Sequence, residues 1–127
     1  MANKFLTIGA ILAFLAVGIG AFGSHGLKPF LSPTMSPVFE TGVRYHMYHS
    51  LGVVFSGWAW SSWNNPLFRY AALAFIFGIL FFSGSLYVLS LTGFRWLGAI
   101  TPIGGLLFLI GWSLLAIGFW KSSARSA

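Results

Sequence analysis

Residues 67–121 read LFRYAALAFIFGILFFSGSLYVLSLTGFRWLGAITPIGGLLFLIGWSLLAIGFWK, and a single cation, Arg95, interrupts them between Arg69 and Lys121. The uncharged runs on its two sides, 70–94 and 96–120, are each long enough as helix to cross a hydrocarbon core, which needs roughly 20 residues. A membrane barrel would show many short segments of alternating polarity, and these long uniform runs do not alternate. The stretch is read as two antiparallel helices joined by the short link TGFRW at 92–96.

Outward from this hairpin, the same punctuation governs the rest of the chain. The charged residues are Lys4, Lys28, Glu40, Arg44, Arg69, Arg95, Lys121 and Arg125, which make 6% of the sequence against 57% hydrophobic. A soluble domain carries about a quarter charged residues, so an aqueous surface cannot be assembled from this composition. Two further uncharged runs, 5–27 and 45–68, bring the expected spans to four. The fold class expected is all-α, an integral membrane four-helix antiparallel up-down bundle. It forms one membrane domain over 1–127, with helices at about 5–23, 37–60, 67–92 and 97–120 and a polar, frayed tail at 121–127. Residues 5–22 follow Lys4 as a signal peptide would, but their apolar run of about 18 residues exceeds the 7–15 of such a segment, and a retained first helix is expected.

The segment GSHGLKPFLSPTMSP, 23–37, has three prolines that prevent the first helix from continuing. Ser36 followed by Pro37 reads as an N-cap with proline at the first helical position, so the second helix starts there, and its first turns, VFETGVRYHMYH at 38–49, are polar. SSWNNP, 61–66, ends it with turn residues. Small residues recur at seam spacing: Gly9, Ala13, Ala16, Gly20 and Gly23 in the first helix, Ala71, Gly78, Ser85 and Thr92 in the third, and Gly104, Gly111 and Gly118 in the fourth. Lipid tails are as apolar as Leu, so helices associate through close approach, which small residues permit.

Several functions are excluded at this level. About a third of the chain remains for loops, too little for a nucleotide-binding or catalytic domain outside the membrane. The formal charge of +6 is spread singly over segment ends, where Lys and Arg anchor helices to headgroups, so no nucleic acid is expected as a partner. The absence of cysteine removes disulfides, thiol catalysis and thiolate metal sites. With four spans both termini share a side, holding Lys4, Arg69, Lys121 and Arg125 against Lys28, Arg44 and Arg95, so termini in the cytoplasm are expected. Trp58, Trp60, Trp63 and Trp120 mark the terminal interface, and Trp96 and Tyr45 the other.

Up-down threading gathers most of the polar chemistry in one leaflet: His25, Glu40, Arg44, Tyr45, His46, Tyr48, His49, Tyr87, Thr92, Arg95 and Thr101. Polar groups near hydrocarbon are costly unless paired, which makes the cluster a candidate site. Glu40 and Arg44, four apart with the acid first, are placed for an ion pair that orients the second helix. His46 and His49 with His25 supply the imidazoles of a metal or haem site, although the default role of each is a hydrogen-bonded histidine. Tyr45 and His49 share a face, and a hydrogen bond through Tyr87 or to the headgroup region is expected. Ser83 and Ser85 suit hydrogen bonds between helices. Pro102, after Thr101, removes an N–H bond to residue 98, and a kink is expected there. Lys28, Lys4, Arg69, Arg95 and Lys121 are read as punctuation alone.

The motifs GAFGSHGLK, ETGVRYHMYH, FSGSLY and LGAITPIGG, in that order, resemble the small bacterial YgdD-like family, the domain of unknown function numbered 423, related to eukaryotic transmembrane protein 256. The resemblance implies a four-helix integral protein of the cell membrane, in bacteria the inner membrane, and carries no established activity. The family pattern commonly has Ala at the position of Ser24 and Gln at that of His46, which weakens His46 as a ligand. His25, Glu40, Arg44, Tyr45, His49, Tyr87, Thr101 and Pro102 fall on the family motifs and form the candidate binding cluster.

The leading expectation is a non-enzymatic membrane protein, without a cofactor, whose polar leaflet binds a lipid headgroup or a protein partner. Its partners would be membrane lipids and a second copy of itself or a larger membrane complex that it serves as accessory subunit. The alternatives are a transporter or channel for protons, ions or small solutes, and a metal or haem protein using His25 and His49. A hydrolase built on Ser24, His25 and Glu40 has only its residue types in favour.

Overall fold

The computed structural model describes residues 2–126, the side chains of residues 2, 3, 125 and 126 excepted. Arg125, counted above among the charges of the terminal side, therefore lies outside the described side chains. Four long helices follow one another: α1 (Ala2–His25), α2 (Ser36–Trp63), α3 (Pro66–Thr92) and α4 (Thr101–Ser126). Short 3-10 turns at Lys28–Phe30 and Arg95–Ala99 precede α2 and α4. The protein is an all-α membrane helical bundle.

Local chemistry sets the helix ends. Asn64 takes the left-handed conformation (φ 51°) and returns its N–H to the Trp60 carbonyl at 2.7 Å, which stops α2. The next residue, Asn65, accepts a hydrogen bond from the Leu67 N–H at 3.0 Å, with Pro66 opening the first turn of α3. At the other end of α3, Gly93 (φ 77°) donates its N–H to the Leu89 carbonyl at 2.8 Å. Ser36 already belongs to α2 and no side chain caps that helix; Ser32 instead accepts from the Met35 N–H at 3.1 Å in the preceding turn.

Three expectations about α4 are corrected. Residues 95–99 form 3-10 turns, closed by Leu97 N–H to Phe94 and Ile100 N–H to Leu97, so the α-helix begins at Thr101 rather than at 97. Pro102 thereby falls in the first turn of α4, where its missing N–H leaves no bond unmade, and no mid-helix kink arises. The tail is not frayed through its length, because α4 continues to Ser126. Ser122 is buried there, and its hydroxyl accepts from the Asn65 amide at 3.4 Å.

The helices pack in series, α1 along α2, α2 along α3 and α3 along α4, while α4 meets α2 only along a short stretch. Neighbours run antiparallel: Gly9 lies against Val54 and Gly20 against Val43, and on the far side of α2 Gly42 lies against Tyr87 and Gly52 against Phe75. The seam glycines lie against neighbouring helices: Val54, Val43 and Phe39 of α2 face Gly9, Gly20 and Gly23, and aromatic rings face Gly78, Gly111 and Gly118. Phe75 is fully buried with its ring against both Gly52 and Gly111; Phe108 fills the space beside Gly78 and Phe68 that beside Gly118. At Gly104 the backbones come closest, since a methyl group there would meet the backbone of Phe82. Close approach of this kind supplies the dispersion contacts that replace hydrophobic driving force between helices in lipid.

Large apolar side chains cover the outside, among them Phe14, Leu80 and Leu109. α1, α3 and α4 are each long and apolar enough to cross a membrane. The polar first turns of α2 lower its hydropathy, so it does not meet that measure, although it is 28 residues long and lies between α1 and α3. At the terminal end, Phe5 packs on Trp60 and Trp63 on Phe119, which gathers the start of α1 and the ends of α2 and α4.

Candidate functional site

The polar residues of the leaflet at the α1–α2 connection do not converge on one point. They fall into separate groups because α2 carries them on faces that meet different neighbours.

Glu40 and Arg44 lie on the outer face of α2, toward α1. Together with Lys28 from the connection they line a groove of about 660 Å³, along with Ser24, Tyr48 and a floor that includes Val17, Val43 and Met47. All three charged side chains are exposed, and the expected ion pair between Glu40 and Arg44 is not formed; among the described residues neither carries an ionic partner. From Glu40 to Tyr48 the groove follows α2 for about 12 Å at 1.5 Å per residue, from a charged mouth to an apolar end.

The opposite faces of α2 are closed by hydrogen bonds. His46 Nδ1 and the Tyr87 hydroxyl share one of 2.8 Å, and the Ser83 hydroxyl donates to the Gly42 carbonyl at 2.7 Å, so α2 and α3 are joined twice within two turns. Tyr87 thus serves His46 rather than His49. The second nitrogen of His46, Nε2, is buried with no hydrogen-bond partner among the described residues. Thr101 is paired with Ser85 at 2.6 Å between α3 and α4, and Pro102 beside it is exposed.

His49 is buried and fully engaged. Its Nδ1 lies 2.7 Å from the Tyr45 carbonyl, so it must donate, and its Nε2 accepts from the Trp112 indole N–H at 3.0 Å. These partners fix a neutral imidazole in one tautomer, with its single lone pair already used. The ring stacks on Phe108 with centroids 3.5 Å apart and planes 7° apart. Tyr45 lies over the same aromatic wall, near Phe82, and both residues border a second groove of about 380 Å³ between α2 and α4.

His25 is exposed at the end of α1 and makes no interaction with the described residues. No three His, Cys, Asp or Glu side chains converge as a metal set among the described residues, and the engagement of His49 removes the strongest ligand of that reading.

Sequence reasoning missed two participants. Lys28, read as a span marker, lines the groove from the 3-10 turn Lys28–Phe30 that follows α1. Trp112, read as an apolar residue of the fourth span, is the hydrogen-bond donor to His49. The available signal was the indole N–H itself, which needs an acceptor when placed in an apolar helix.

Fold and surface together define a small helical membrane protein with a charged groove at one end. The chain belongs to the family described as "Protein of unknown function (DUF423)", whose profile matches residues 19–105. It is 48% identical over 117 residues to the UPF0382 membrane protein SSP2132 of Staphylococcus saprophyticus, covering 92% of this chain and 97% of the relative. It is 44% identical over 114 residues to the UPF0382 membrane protein YwdK of Bacillus subtilis, covering 89% and 93%. With the UPF0382 membrane protein of Haemophilus influenzae it shares 40% over 124 residues, covering 98% and 99%. No solved structure matches the chain.

Proposed function

We propose that this protein is a non-enzymatic multi-pass protein of the cell membrane that holds a phospholipid headgroup in the groove between α1 and α2. The observation that carries the reading is the trio Lys28, Glu40 and Arg44, three charged side chains without ionic partners among the described residues, set over an apolar floor. A phosphodiester bound there would gain charge-assisted hydrogen bonds from Lys28 and Arg44, and its glycerol and upper acyl carbons would lie along Val17, Val43 and Met47. A transport path is less well supported, because the space between α2, α3 and α4 is occupied by Phe68, Phe75 and Phe108.

In this reading α2 is a fourth span, shielded by α1 and α3 along its length, and the termini lie in the cytoplasm. The groove then opens to the outer leaflet. The chain has no cysteine, so single cysteines at Ser24 and Ser123 report sidedness without background. Labelling of Ser24→Cys, and not of Ser123→Cys, by an impermeant maleimide on intact cells is expected; the reverse pattern overturns the orientation.

Headgroup binding is tested by native mass spectrometry of the full chain purified in mild detergent. The wild type is expected to retain phospholipid and the Lys28→Ala/Arg44→Ala variant to lose it while keeping its helix content. Equal retention by both overturns the proposal.

A further inference from the structure

The groove has a composition that a purely anionic ligand does not explain. Two cations suit a phosphate, yet Glu40 stands among them on the same face of α2 as Arg44. Glu40 and Arg44 have the spacing and order favoured for an ion pair, and Lys28 is a neighbour in the same groove, but the carboxylate bonds to neither. A carboxylate left free beside a phosphate-binding pair repels a second negative charge and attracts a positive one.

Resting on the headgroup reading above, we propose that the groove selects a phospholipid whose headgroup carries a primary ammonium next to its phosphate, with phosphatidylethanolamine as the simplest member of the class. Lys28 and Arg44 take the phosphate oxygens and Glu40 takes the ammonium. Side chains four apart on a helix have Cβ atoms about 5–6 Å from each other. That separation fits the short ethylene spacer between phosphate and ammonium in ethanolamine. A primary ammonium offers N–H donors to the carboxylate. The quaternary ammonium of choline has none, and a glycerol headgroup brings no positive charge, so Glu40 discriminates against both. Tyr48, exposed farther along the groove, stands where the ester region would lie. The selectivity is a matter of charge arrangement across the groove, in which the unfavourable juxtaposition rejects the wrong partner.

The test titrates the purified full chain in detergent with acyl-matched phosphatidylethanolamine, phosphatidylcholine and phosphatidylglycerol, read by native mass spectrometry. The wild type is expected to bind the ethanolamine lipid at least about tenfold more tightly than either of the others. Glu40→Gln is expected to abolish that preference while leaving phosphatidylglycerol binding intact or improved, and Arg44→Ala to weaken all three. Wild-type binding of phosphatidylglycerol or phosphatidylcholine as tight as that of the ethanolamine lipid overturns the selectivity and leaves headgroup binding standing; this comparison needs no variant. An unchanged preference in Glu40→Gln overturns the role of the carboxylate. Failure of every lipid to bind overturns the headgroup reading and this inference with it.

Discussion

Trp112 of α4 donates its indole N–H to Nε2 of His49 on α2, at 3.0 Å, between helices whose backbones come close only along a short stretch. The bond completes the coordination of a buried imidazole whose Nδ1 is committed to the Tyr45 carbonyl, and so ties the fourth helix to the second.

Trp112→Phe keeps the ring contact with Phe75 and leaves His49 Nε2 without its donor. Side-chain hydrogen bonds between membrane helices contribute about 0.6 kcal/mol on average and up to about 1.7, and a loss toward the upper figure is expected because the acceptor is buried. A double-mutant cycle with His49→Leu, followed by unfolding in mixed micelles, should show the two losses to be less than additive. Full additivity contradicts the bond.

Gly104 of α4 and Gly84 of α3 both lie within helices but differ in surroundings. A Cβ on Gly104 meets the Phe82 backbone, which cannot swing aside, whereas one on Gly84 meets nothing within 4 Å. Gly104→Ala is expected to destabilise by about 1–3 kcal/mol, the cost of overpacking a close-packed contact. Gly84→Ala is expected to be neutral or slightly stabilising, since Ala is the better helix former by about 1 kcal/mol. Detergent unfolding curves of the two variants side by side check the contrast.

His46 and Tyr87 tie α2 to α3 through a single shared hydrogen bond of 2.8 Å. A glutamine at this position has an amide able to meet the Tyr87 hydroxyl. His46→Gln should therefore stay near wild-type stability, while His46→Ala and Tyr87→Phe each lose about 1–3 kcal/mol, from a cavity in the first case and an unsatisfied ring nitrogen in the second. Thermal melting of the three variants in detergent ranks them; a Gln variant as weak as the Ala variant contradicts this account.

The helices and their antiparallel order were legible in the chain because each is announced by chemistry local to it: a long uncharged run, a cation at its end, and Asn64, Asn65, Pro66 or Gly93 at a turn. Gly9, Gly20 and Gly23, like Gly104, Gly111 and Gly118, were legible as seams by their spacing. Less was legible where a partner comes from elsewhere. The rings that fill those seams, Phe75 for Gly52 and Gly111 and Phe68 for Gly118, have no periodicity linking them to the glycines they meet. The boundary of α4 was misjudged because Pro102 acts through its place in a helix, and at a first turn it initiates where in an interior it would kink.

The candidate site shows the same division more sharply. Glu40 and Arg44 share one face of α2, and Tyr45 and His49 share another, which helical spacing alone establishes. Helical spacing does not say which face meets α1 and which meets α3 and α4. That was decided by packing, which turned the charged pair outward to a groove with Lys28 and buried His49 against Phe108 and Trp112. The sequence by itself determined that this is a helical membrane protein, because eight charged residues among 127 leave no other solvent for its surface. Only the tertiary structure decided which of its polar groups are satisfied within the protein and which are left for something outside it. Hydrogen bonds between helices depend on distances that no single helix contains.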